Sequence, residues 1–353
     1  MTNTAATSNH FTTLQAGRAI AALLVVFYHN GIGIFALDKY WGNDPTNGLF
    51  IFAHAGVNFF FVLSGFVIYY IHNKDIGTPS RLANFAKKRF VRIYPIYWLI
   101  LFCIIPIYFI VPSFGHDYHR APATIISSFI LVYFDENLHS ELGVAWTLYH
   151  EIFFYCLFAL AICHKRLGLA AISLWFASCI AYFFFAPSGF PLNFVAMPIN
   201  LLFGMGMLTC HLFQKQIIPV PSLLIFAGIA IFLGAACDEN YYQFFSGHSR
   251  NIIYGIGSMF ALMGLVERER MGHLRAPVLL QKIGDASYSI YLTHFTILSF
   301  TAKIFIAAGA NTALPIMLSF VMLPIIAVSI GMLIHRHVER PLLKKCNQWV
   351  FKK

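Results

Sequence analysis

The sequence predicts an all-α, polytopic membrane protein with about ten transmembrane helices and both termini in the cytoplasm. Three observations lead there. Of the 353 residues, 59% are hydrophobic and only 11% are charged, against about 25% charged in an ordinary globular chain. Mean hydropathy is +0.70. Apolar stretches of about 20 residues, the length that crosses the hydrocarbon layer as a helix, recur along the whole chain, and Lys and Arg gather in alternate connections between them. So few charges could not cover the surface of a soluble protein this long, which excludes a water-soluble enzyme, a disordered chain and a fibrous repeat.

Taken in order, the predicted spans are 14–35, 50–72, 93–112, 144–163, 167–187, 191–213, 218–237, 250–266, 285–308 and 313–335. Segment 123–134 is apolar but too short to span, and is expected to be re-entrant or interfacial. MTNTAATSNHFTT has no basic region ahead of the first apolar run, so the first span is expected to be retained rather than cleaved as a signal peptide. No internal repeat or low-complexity linker interrupts the pattern. Residues 1–353 are therefore expected to form a single integral-membrane domain with no appended soluble domain. The seven cysteines contain no CxxC pair and read as small hydrophobes.

Orientation follows from the bias of basic residues toward cytoplasmic loops. With the termini inside, nineteen of the 24 Lys and Arg face inward, among them Lys87, Lys88, Arg89, Arg92, Arg268, Arg270, Lys344, Lys345, Lys352 and Lys353. Asp38, Asp44, Asp117, Asp135, Glu136, Glu141, Asp238 and Glu239 fall outside. The net charge of +10 is thus mostly topogenic, and no nucleic-acid partner is expected.

A charge near the bilayer centre costs several kcal/mol, so ionisable groups inside spans are candidates for function. They are Arg18, His29, His54, His150, Glu151, His294 and Lys303. Arg18 and His29 are eleven residues apart, which puts them on one helical face with His29 roughly 16 Å further along. Counted from the predicted helix ends, His29 and Glu151 lie at one depth and are expected to meet. Thr147, Glu151 and Tyr155 form a stripe at i, i+4 and i+8. Arg89 and Arg92, in FAKKRFVRIYP, offer planar forks suited to phosphate. Asn58 is the strongly polar side chain inside the second span, whose Gly56, Ser64 and Gly65 would admit a close neighbour. Ser287, Tyr288, Ser289, Tyr291 and His294 form a polar band in the ninth. Trp146 reads as an interfacial anchor and Lys303 as a snorkelling side chain. No HxxxH or HExxH pair lies within a span, so no metal site is expected.

These motifs resemble the acyltransferase-3 family of bacterial integral-membrane O-acyltransferases. LQAGRAIAALLVVFYH, with Arg18 and His29, looks like the family's opening signature. GVNFFFVLSGF at 56–66, KRFVRIYP at 88–95, WTLYHEIFFY at 146–155, GDASYSIYLTH at 284–294 and VERP at 338–341 follow in the family's order. Asn58 stands where the family usually has an acidic residue. In overall look the chain is closest to the stand-alone exopolysaccharide O-acetyltransferases. The resemblance implies acetyl-CoA, or another acyl-CoA, as cytoplasmic donor. It implies as acceptor a hydroxyl of a surface or exported carbohydrate (exopolysaccharide, O-antigen or lipid-linked sugar), with membrane lipid around the protein in a bacterial inner membrane.

Acyl transfer from a thioester needs a base for the alcohol, stabilisation of an oxyanion and positioning of both substrates. His29, with an ordinary pKa near 6.5, is the expected base and Glu151 its expected partner. Arg18, Arg89 and Arg92 would hold CoA phosphates. Asn58, Tyr155, Ser289 and His294 are the expected supporting or substrate-binding groups. The alternative is a polytopic transporter of a glycolipid or anion, which would also hold intramembrane polar groups. Transporters commonly carry two related halves, and no motif of residues 1–170 recurs in 171–353.

Overall fold

The computed structural model describes residues 11–185, 187 and 189–351. The N-terminal stretch ahead of Phe11 and the predicted inward-facing Lys352 and Lys353 lie outside the described residues. Those residues form helices joined by turns and short loops, with no strand among them. Ten helical segments are long and apolar enough to cross a membrane. They are Thr12–Phe35, Ile51–Asp75, Pro79–Ile110, Gly143–Cys163, Lys165–Phe185, Leu192–Gln214, Pro221–Tyr242, Gly247–Arg270, Ser287–Ala307 and Ile316–Val350, called the first to tenth spans below.

Two boundaries differ from expectation. The third span begins at Pro79 rather than at residue 93, because FAKKRF continues the same helix and Pro95 is accommodated inside it. Arg89 and Arg92 are nearly one turn apart on this continuous helix. The tenth span also runs past residue 335, through a π-turn His335–Glu339 into the helix Arg340–Val350.

Segment 123–134 packs against the third span. Its helix Pro122–Ile130 ends in a left-handed Leu131, level with the middle of the third span. The last carbonyls of any helix lack intrahelical partners, and hydrocarbon would leave them unpaired. Here Tyr97, Trp98 and Tyr94 of the third span donate to the carbonyls of Ser128, Phe129 and Ile130 at 3.0, 2.9 and 3.0 Å.

Two apolar clusters organise the bundle. One is built mainly on the second, third, fourth and sixth spans around Phe61, Phe66, Tyr97, Phe154 and Phe203; the other joins the first, ninth and tenth around Ala22, Val26, Ile290 and Leu323. A polar cavity lies between them. The fifth and seventh spans bury little of themselves, as peripheral helices do. The small residues of the second span act as expected, with Gly56 against the Ala21 backbone and Gly65 against that of Phe203. Trp146 is not an interfacial anchor: it is half-buried and turned inward, with its ring centroid 6.2 Å from Phe61 and 5.8 Å from His150.

Candidate active site

Five spans contribute to the cavity. The first supplies Arg18, the second Ser64 with a wall of Val57, Phe60 and Leu63, the third Arg89 and Arg92, the fourth Thr147, Glu151 and Tyr155, and the ninth Ser287, Tyr288 and Tyr291. Its volume is about 170 Å³. That is close to the roughly 150 Å³ of an engineered cavity that holds benzene, so it has room for a thin chain and not for a nucleotide. The predicted stripe Thr147–Glu151–Tyr155 faces it as a unit.

Charge is arranged asymmetrically. Arg18 Nε donates to Ser287 Oγ at 3.1 Å. The Arg89 guanidinium lies over the Tyr155 ring, 5.8 Å from its centroid, and its buried Nε has no hydrogen-bond partner among the described residues. Arg92 lies 5.3 Å from the centre of Tyr288 and donates from Nη1 to Glu339 Oε1 at 3.3 Å. Glu151 Oε1 accepts from Ser64 Oγ at 3.0 Å and from the Tyr155 hydroxyl. Three guanidiniums against one lining carboxylate leave an excess of positive charge in an apolar surround, an environment that favours an anion.

Glu339 was not singled out in the sequence. It is fully buried, and its carboxylate also accepts from Ser289 Oγ at 2.6 Å and meets His335 Nδ1 at 2.7 Å. The available signal was VERP itself; the predicted span stopped at 335, which left Glu339 outside every span. The π-turn carries it back inside, as such bulges often do at functional sites.

Contrary to expectation, Glu151 and His29 do not meet. The Tyr291 hydroxyl lies 3.1 Å from Thr147 Oγ1, which makes the fourth and ninth spans level at that rung. Glu151 is four residues from it toward the basic end, and His294 three residues toward the acidic end. The two are thus roughly 10 Å apart along the bundle, and His29 sits with His294. His294 Nε2 lies 3.2 Å from His29 Nδ1, which is also 2.9 Å from the Val25 carbonyl. Tyr291 joins the two levels, since it lines the cavity and its ring centroid is 6.0 Å from that of His294.

The other expected residues separate. Asn58 turns from the cavity to the eighth span, where its Nδ2 donates to the Asn251 backbone carbonyl at 3.0 Å and to Asn251 Oδ1 at 3.1 Å. Ser289 is behind the cavity on Glu339. His150 is a buried structural histidine, its Nδ1 2.8 Å from Asn200 Oδ1. His54 Nε2 meets Glu239 at 2.9 Å at the acidic end, where Arg250 and the Tyr254 hydroxyl bind the same carboxylate. Lys303 lies over the Phe114 ring, 3.5 Å from its centroid.

The domain model of the acyltransferase-3 family, described as an acyltransferase domain, matches residues 11–335. The chain belongs to that family. It is a multi-pass membrane acyltransferase, which sets aside the transporter alternative. Among relatives, the exopolysaccharide production protein ExoZ of Rhizobium meliloti (strain 1021) is 27% identical over 314 residues, 86% of this acyltransferase and 93% of ExoZ. Protein 2 in the picA locus of Rhizobium radiobacter is 30% identical over 161 residues, 40% of this chain and 77% of that one. No solved structure matches.

Proposed function

We propose that this acyltransferase moves an acetyl group from acetyl-CoA to a hydroxyl of an exported or surface carbohydrate, with the basic end of the bundle in the cytoplasm of a bacterial inner membrane. The observation that carries the reading is the convergence of Arg18, Arg89 and Arg92, from two spans, on one narrow cavity lined also by Tyr291, whose ring centroid is 6.0 Å from that of His294, the partner of His29. The guanidiniums suit the phosphates of CoA at the mouth, and the width suits its pantetheine arm. The name of the ExoZ relative, an exopolysaccharide production protein, supports a carbohydrate acceptor.

His29 takes the proton of the acceptor hydroxyl while the alcohol oxygen forms its bond to the thioester carbonyl carbon. The carbon–sulfur bond then breaks with its electron pair on sulfur, and His29 returns the proton to the thiolate. Glu151 stands at the donor end, holding Tyr155 beneath Arg89 and limiting the cavity's positive charge. The test is protein in nanodiscs given acetyl-CoA and bacterial exopolysaccharide. Free CoA should appear with an equal amount of O-acetyl ester on the polysaccharide; CoA release without ester, or no turnover with any acyl-CoA, would overturn the reading.

Two variants probe the donor end. Substituting Arg89→Lys and Arg92→Lys together keeps the charge and removes both forks. Donor KM should rise about tenfold or more, in line with about 1–2 kcal/mol of charge-assisted hydrogen bonding, while acceptor KM stays put. An unmoved donor KM would leave these arginines as topology signals. Glu151→Gln keeps shape and loses charge, so donor KM should shift severalfold with acceptor KM constant; a change confined to kcat would return Glu151 to the chemical step.

A further inference from the structure

We propose that His294 is a positioning residue that fixes the proton of His29 on Nδ1 and so leaves His29 Nε2 as the basic nitrogen. The inference rests on the assignment of His29 as the base and supplies the partner that Glu151 does not provide. His294 is fully buried. Its Nδ1 faces two carbonyl oxygens, that of Tyr291 at 2.7 Å and that of Ile290 at 3.2 Å. Carbonyl oxygens only accept, so Nδ1 of His294 carries a proton, and in the neutral ring Nε2 is left with a lone pair.

That lone pair points at His29 Nδ1 from 3.2 Å. The other partner of His29 Nδ1, the Val25 carbonyl at 2.9 Å, is also an acceptor. Two acceptors converging on one nitrogen require it to be the donor, so His29 holds Nδ1–H as a three-centre bond. Its Nε2 then bears the free pair, since both hydrogen bonds of the ring are made at Nδ1. The tautomer is set by a chain of obligations that starts at the backbone of the ninth span.

The same geometry serves both halves of the reaction. When Nε2 takes the acceptor's proton, Nδ1–H is retained and the imidazolium charge is met by the Val25 carbonyl and the His294 lone pair. When Nε2 gives the proton to the departing thiolate, the starting tautomer returns. His294 neither gains nor loses a proton in the cycle. A carboxylate in its place would bind the imidazolium more tightly but would be a buried charge; a neutral acceptor avoids that desolvation cost.

Ring-nitrogen NMR of 15N-histidine-labelled protein in nanodiscs, with kinetics of the same samples, tests this. Wild-type His29 should show the Nδ1–H form. His294→Leu keeps an apolar volume and removes the acceptor: kcat should fall about 100-fold or more with both KM values little changed, and the His29 tautomer signal should become mixed. His294→Gln offers a carbonyl oxygen and should recover most of kcat and the Nδ1–H signal. An Nε2–H tautomer in wild-type His29, full kcat in His294→Leu, or equal losses in the Leu and Gln variants would overturn the proposal. If His294→Leu does not fold, the wild-type tautomer and the Gln variant still decide. Activity surviving in His29→Ala would instead defeat the base assignment, while the NMR would still report whether His294 orders the His29 ring.

Discussion

Replacing His29 with Ala should lower kcat by about 10²- to 10⁴-fold, the range general acid–base catalysis supplies, with donor KM close to wild type. The separation of the two ends of the site is the reason. In the proposed reading Arg18, Arg89 and Arg92 hold the donor end, and His29 has other neighbours: Val25, His294, Tyr28 and Phe295. Ala favours helix and His29 is only half-buried, so the first span should persist and the protein should remain inserted. A His29→Ala protein that folds and acylates the acceptor at the wild-type rate would remove the residue from the mechanism. Free imidazole offers a second readout, because the truncated side chain leaves space beside His294 for an exogenous ring. Partial rescue by imidazole, with none in wild type, is the expected pattern.

The sequence carried the spans and the angular phase of side chains on each helix. All ten spans could be read because each is a run of about 20 apolar residues, and Thr147, Glu151 and Tyr155 do share one face of the cavity. Axial register between helices was not legible. Placing His29 and Glu151 at one depth used the predicted ends of two helices, whereas their heights are set by lateral contacts such as Tyr291 to Thr147 and Arg18 to Ser287. Those ends were right to within a residue, but the two helices are not level, and an offset of one turn already moves a side chain by about 5 Å, enough to exchange the partner of His29. Glu339 was hidden for a related reason: a π-turn carries the chain inward past the point where hydropathy falls. Asn58 was correctly seen as an unusual polar group, but which neighbour it faces depends on Asn251, 193 residues further along.

A sensitive point of the fold should be the crossing of the second and sixth spans, where Gly65→Ala is expected to be severely destabilising. A Cβ on Gly65 would lie 2.0 Å from the Phe203 carbonyl oxygen, and one on Gly206 would lie 1.9 Å from that of Val62. Both obstacles are backbone, so no rotamer change relieves them and the two helices must move apart. Overpacking usually costs about 1–3 kcal/mol; here the reciprocal contact argues for the upper end, a large share of the roughly 5–15 kcal/mol that holds a typical protein together. Gly234→Ala is the control, since nothing lies within 4 Å of a Cβ there and replacing a mid-helix glycine by alanine is neutral to stabilising. The apparent Tm in one detergent should fall by several degrees for Gly65→Ala and stay level or rise for Gly234→Ala. Equal midpoints would show that the crossing tolerates separation. The effect should reach the site as well, because the second span supplies Val57, Phe60, Leu63 and Ser64 to the cavity and Ser64 holds Glu151. Any folded fraction of Gly65→Ala should therefore show a raised donor KM, whereas Gly234→Ala should match wild type in both KM values.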